Sequence, residues 1–222
     1  MKETWQNKLE NKIKKYLAGY TACHDFYHLD RVRDNAMRIA EDIECDKEVL
    51  EAAALLYDSG YKNNEHDDNN HHLHGMEIAR IWLPEVGFPI KKIVDVIEAI
   101  RLHDNFHWEA KIGEKTEHIE TKIIQDADRI DAIGAIGIAR IAYYFGEKGY
   151  PIFLDQPVPQ SDKIWLNHDL LDQIRRDPMK KYQNLNFSIS KKIFKRRAEF
   201  LKKYYLELKK ELEFHHGKSR KI

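Results

Sequence analysis

Apolar residues recur every three or four positions along most of this chain, and one-by-one alternation is nearly absent. That period belongs to helices rather than strands. Residues 3–18 predict a first helix, with Trp5, Leu9, Ile13 and Tyr16 along one side. Residues 25–43 predict a second, striped by His28, Val32, Ala36 and Ile39. The third runs from Lys47 to Asp58, rich in Ala and Leu, and Gly60 ends it. A polar loop, Asn63 to Asn70, leads into a helix from His71 to Leu83. Pro89 opens a fifth helix with Ile93, Val96, Ile97, Ile100 and His103 on its apolar side. The sixth and longest is predicted from Thr116 to Phe145. Pro151, Pro157 and Pro159 mark an irregular segment, followed by helices over 161–176 and from Ser188 to Glu213. No internal repeat, low-complexity linker or shift in composition divides the chain. The expectation is one all-α domain, a helical bundle spanning residues 1–222.

Composition narrows the function. The 222 residues carry 37 Lys plus Arg against 37 Asp plus Glu. Zero net charge argues against a general nucleic-acid or membrane-surface binder, which normally shows a basic excess. No apolar run approaches the roughly 18 residues that a membrane helix needs, and the longest, Ala132 to Phe145, is interrupted by Arg140. The N-terminus is polar and has no signal-peptide core. Two cysteines are too few for a disulfide framework or a cysteine zinc site. A reduced cytoplasmic protein is the expectation. Twelve histidines stand out, grouped as His24 with His28, His66 with His71, His72 and His74, and His103 with His107.

The informative residues are polar ones on apolar stripes. Asp126 shares helical spacing with Ile119, Ile123, Ile130 and Ile133; Asp58 continues Leu50, Ala54 and Leu55. His28 heads one stripe and His103 ends another. A buried carboxylate is costly unless it is paired or binds a metal. Arg129 or Arg140 would serve Asp126 as structural partners, and turn chemistry beside Ser59-Gly60 would serve Asp58. Two imidazoles and two carboxylates turned inward from four helices suit a divalent ion.

At these residues the chain resembles the HD-domain metal-dependent phosphohydrolases. The resemblance lies in His24-Asp25-Phe26-Tyr27-His28-Leu29-Asp30-Arg31-Val32, in Ala53-Ala54-Leu55-Leu56-Tyr57-Asp58, and in Gln125 through Arg140. It implies a helical bundle in which His28, Asp58 and Asp126 ligate a divalent metal (Mn, Mg, Co, Zn, Fe or Ni). One departure is plain: Tyr57 stands where the family has the histidine of its His-Asp doublet. A neutral phenol is a poor ligand beside imidazole, and a water, His71 or His103 are the candidates for that place.

The resemblance implies hydrolysis of a nucleotide or related small phosphorylated metabolite. Asp58 would orient or deprotonate a metal-bound water. Lys62, four residues on, and Arg31, one turn after His28, are the nearest cations for a phosphate. His71 and Arg129 join Arg31 as expected substrate contacts, and His103 joins Asp58 and Lys62 as expected catalytic groups. No Walker-type or G-x-G-x-x-G sequence supports a kinase or dinucleotide-binding reading. The alternative is an impaired HD-fold protein that binds a nucleotide or regulates without turnover, favoured by Tyr57. An oligomer remains open.

Overall fold

The computed structural model describes residues 3–63, 70–103, 116–154, 169–170, 173–174 and 184–216. They form eight α-helices: α1 Trp5–Tyr16, α2 Phe26–Ile39, α3 Lys47–Leu56, α4 His71–Val86, α5 Ile93–Leu102, α6 Ile119–Asp131, α7 Gly134–Glu147 and α8 Ser188–His216. Short 3-10 turns occupy Ala40–Asp42, Ser59–Asn63 and Ile90–Lys92. No strand occurs among the described residues, so the fold is all-α as the periodicity predicts. None of the described helices is long and apolar enough to cross a membrane. The predicted helix over 161–176 lies mostly outside the described residues.

Side-chain caps start several helices where the sequence supplies them. Asp25 accepts the His28 N–H at 2.8 Å and Asp46 accepts the Glu48 and Val49 N–H groups, each cap contributing about 1 kcal/mol. The Asp25 cap places His28 in the first turn of α2, pointing inward.

Helix α3 forms the centre. From Val49 to Leu56 every residue except Glu51 is at most 1% exposed, so α3 is apolar all round. Its alanines let α2, α5 and α6 approach closely, and the same core continues through α1 and α4. A smaller cluster joins α7 to α8 through Ile138, Phe145 and Leu201. The chain therefore leaves its most enclosed helix directly into Tyr57 and Asp58.

The long sixth helix is two helices. Ile133 is extended and Gly134 has φ +77°, a left-handed conformation open to glycine at no steric cost. The break turns α7 away from α6 and packs the Arg197 stem against Gly134. Apolar periodicity continued across this turn because both helices bury a face.

The turn after Asp58 is equally constrained. A Cβ on Gly60 would lie 1.9 Å from the His71 carbonyl oxygen, so only glycine lets this turn pack against the start of α4. Gly60→Ala is expected to destabilise the fold by about 1–3 kcal/mol through backbone displacement. Gly146→Ala, where an added Cβ meets nothing within 4 Å, serves as the near-neutral comparison in urea unfolding.

Candidate functional site

Asp58 is buried, and both of its carboxylate oxygens face imidazoles. Oδ2 lies 3.2 Å from His24 Nδ1 and 3.4 Å from His28 Nε2. Oδ1 lies 3.3 Å from His103 Nε2 and 3.6 Å from His71 Nε2. His24 comes from the segment before α2, His28 from α2, His71 from the first residue of α4 and His103 from the end of α5. Burial opposes the charge on Asp58, but hydrogen bonding to His103, His24 and His28 holds its carboxyl well below the usual range. Asp58 is thus an anion shared by two groups of nitrogen donors.

The two groups differ. In the first, the Tyr57 hydroxyl lies 2.7 Å from His28 Nε2 and donates to Asp128 Oδ1 at 3.1 Å. The position facing His28 is therefore already occupied by a neutral oxygen. Burial, then the Asp128 and Asp58 charges, push the Tyr57 pKa far above its ordinary value, so the phenol keeps its proton. In the second group, His71 Nε2 and His103 Nε2 are 3.0 Å apart. His103 Nδ1 is 2.6 Å from the Ile100 carbonyl, which accepts its proton, so Nε2 faces Asp58 as an N–H donor in the charged ring and as a lone pair in the neutral one. Separations of 3.0, 3.3 and 3.6 Å fit atoms sharing one ion at about 2.0–2.2 Å. The donor set Asp58, His71 and His103 fits a divalent metal; His24, His28 and Asp58 also converge but carry the Tyr57 hydroxyl on His28.

Behind His28 runs a charged network. His28 Nδ1 lies 2.8 Å from Asp131 Oδ2, which also accepts from Arg31 and from Arg140 Nη1. Arg31 Nε donates to Asp131 Oδ1 at 2.8 Å. Arg140 Nη2 donates to the Cys23 carbonyl and comes within 3.5 Å of His28 Nε2. Burial would raise the Asp131 pKa, but the His28 and Arg31 hydrogen bonds hold it far below the ordinary carboxylate value. For His28, burial and Arg140 favour the neutral ring; Asp131, Asp58 and Asp128 outweigh them and raise its pKa.

The structure brings His28, Asp58, His71 and His103 together with Tyr57. It does not bring Asp126 to them. Asp126 faces the opposite side of α6 and accepts the Asn186 and Phe187 backbone N–H groups at 2.9–3.0 Å, tying down the chain entering α8. Arg129 donates to the Asn184 carbonyl and lies 3.6 Å from Asp126, so it grips that same segment. Lys62 is turned toward α1, bonded to the Tyr16 carbonyl and lying over the Tyr16 ring. Arg31 sits behind His28, on Asp131.

Sequence reasoning gives no site role to Asp128, Asp131 or His24 and offers Arg140 only as a structural partner for Asp126. The signal was a second stripe on α6: Thr121, Gln125, Asp128 and Asp131 recur at three and four. Helix α6 is buried on more than one side, so its polar stripe faces α2 while Asp126 faces α8.

Comparison with known proteins places these residues in a wider frame. A family model described as HD domain matches residues 25–133. The chain is 28% identical over 214 residues to the uncharacterized protein YpgQ of Bacillus subtilis, covering 96% of each. It resembles the crystal structure of an HD-superfamily hydrolase from Bacillus thuringiensis at 27% identity and TM-score 0.67, covering 94% of this chain and 96% of that one. The crystal structure of YpgQ in complex with ADP matches with TM-score 0.69 at 24% identity, covering 93% and 97%.

Asp126→Ala leaves two backbone N–H groups without their acceptor and is expected to cost about 1–3 kcal/mol in urea unfolding. Because Asp131 has a depressed folded pKa, its stabilisation is complete above about pH 4 and is lost as pH falls through that range toward the folded value. Asp131→Asn is expected to flatten this acid arm of stability against pH, and to lower neutral-pH stability by about 3 kcal/mol.

Proposed function

We propose, for a chain that is an HD-domain superfamily protein, a divalent-metal-dependent phosphohydrolase of a nucleotide or related small phosphorylated metabolite. The observation that carries this reading is the buried Asp58 carboxylate, with two imidazoles on each oxygen. Asp58, His71 and His103 would hold the metal. A bound ion would polarise a phosphoryl oxygen and make its water acidic enough to ionise near neutral pH. The residues do the rest. The Ile100 carbonyl fixes the His103 ring so that Nε2 faces the centre. Asp58, kept ionised, orients the attacking water through one oxygen. His24, with 27% of its side chain exposed and Nδ1 on Asp58, is placed to move a proton between that carboxylate and solvent.

Among the described residues Arg140 comes within 3.5 Å of His28 Nε2 while bonded to Asp131 and the Cys23 carbonyl, whereas Lys62, Arg31 and Arg129 are turned to the Tyr16 carbonyl, Asp131 and the Asn184 carbonyl. A nucleotide is the substrate class because YpgQ, similar along nearly its whole length, was crystallised with ADP. Tyr57 favours a second reading, an HD-fold protein that binds a nucleotide without turning it over. Its hydroxyl lies on His28 Nε2, where a metal would otherwise bond.

Metal content by plasma mass spectrometry, with phosphate and pyrophosphate release from nucleotides in the presence of Mn²⁺, Co²⁺, Mg²⁺ or Zn²⁺, separates the two. The hydrolase reading expects about one ion per chain and turnover. It expects Asp58→Asn and His103→Ala each to lose the ion and at least about a hundredfold in kcat/KM. Asp126→Asn is expected to keep the ion. ADP binding by calorimetry without metal or product would overturn the hydrolase in favour of the binding protein.

A further inference from the structure

Between the two halves of the histidine cluster lies an aromatic ring that the proposed chemistry does not use. Tyr61 sits in the 3-10 turn three residues after Asp58. Its ring stacks on His24 with centroids 4.0 Å apart and planes at 26°, and on His71 at 4.0 Å and 10°. These are the imidazoles that approach opposite oxygens of Asp58, His24 toward Oδ2 and His71 toward Oδ1. One phenol ring therefore spaces both.

The ring is itself fixed by its backbone. The Tyr61 N–H donates to the Asp58 carbonyl at 3.1 Å, and the Tyr61 carbonyl accepts from the Tyr20 hydroxyl at 2.8 Å. Gly60 brings the turn against the His71 carbonyl, so the stack and the start of α4 are set together. An imidazole packed against a ring has fewer rotamers open to it, and a donor already in place loses less freedom when a ligand binds.

We propose that Tyr61 is a positioning residue, whose ring holds His24 and His71 against the two oxygens of Asp58 and so pre-forms the centre. This rests on the metal-site reading above for its consequence but not for its geometry. Stacking is the contact that both imidazoles share. Tyr61→Phe therefore keeps the function and Tyr61→Leu loses it.

The test has two arms on the full chain. Co²⁺ titration, followed by visible absorption, is expected to give Tyr61→Phe within twofold of the native affinity and Tyr61→Leu at least about tenfold weaker with an altered spectrum, the range for groups that orient ligands. Tyr61→Leu melting close to the native protein separates positioning from collapse. In the metal-free native protein, the imidazole carbon-bound protons of His24 and His71 are expected upfield in NMR spectra, shifted by the Tyr61 ring, with Tyr61→Phe preserving the shift. Native Co²⁺ affinity in Tyr61→Leu would overturn the proposal, as would unshifted His24 and His71 resonances in the native chain. A native chain that takes no Co²⁺ but shows the shifted resonances overturns the metal site alone and leaves Tyr61 as the element that sets the two histidines.

Discussion

The structure turns on one ionised carboxylate at the end of its most enclosed helix. Burying such a group uncompensated would cost several kcal/mol. Asp58 is compensated by His24, His28, His71 and His103, and these come from four separate places in the chain. The segment before α2, α2 itself, α4 and α5 must therefore converge before Asp58 is satisfied. The polar cluster is complete only in the packed bundle. The apolar α3 drives that packing and delivers the carboxylate into it.

A second layer fixes the first. Asp131 takes the His28 ring at Nδ1, while Arg31 and Arg140 neutralise it from two further positions on α2 and α7. Each member satisfies another, so His28 is held by charge as well as by shape. This explains why the break before α7 matters: only by turning at Gly134 does α7 bring Arg140 back beside Cys23 and His28. On the other side of α6, Asp126 and Arg129 do a different task with similar chemistry, holding residues 184–187 where α8 begins. One helix thus divides its acids between a polar centre and a structural clasp.

That division sets the limit of what periodicity shows. His28 and His103 are legible because each lies on a stripe with a single buried face, and α3 with Asp58 at its end is legible because an unbroken run of Ala and Leu is followed, after Tyr57, by an acid. The assignment of α6 fails at Asp126 for a physical reason. A helix buried on several sides has no outside to serve as reference, so an acid among isoleucines points to a core but not to which neighbour. The turn at Ile133–Gly134 is invisible to periodicity because apolar spacing is maintained through it. Lys62 and Arg31 were placed by proximity in sequence, yet long cationic chains go to whatever acceptor they reach first. For Lys62 that is the Tyr16 carbonyl and ring; for Arg31 it is Asp131.

Tyr57 is more than a missing ligand. At 1% exposure its ring packs edge-on against His103, with centroids 4.9 Å apart, while its hydroxyl joins His28 to Asp128. It spans both halves of the cluster. A histidine at this position is smaller and leaves part of that volume unfilled, so the loss of packing opposes any gain of a nitrogen donor. The phenol also sends its proton to Asp128, leaving that carboxylate a partner without adding charge. The chain therefore balances its acids on the His28 side with Arg31, Arg140 and a hydroxyl, and on the other side it sets His71 Nε2 and His103 Nε2 3.0 Å apart beside Asp58. Two imidazole nitrogens that close share either a proton or a cation, and the negative charge of Asp58 beside them stabilises whichever positive species they share.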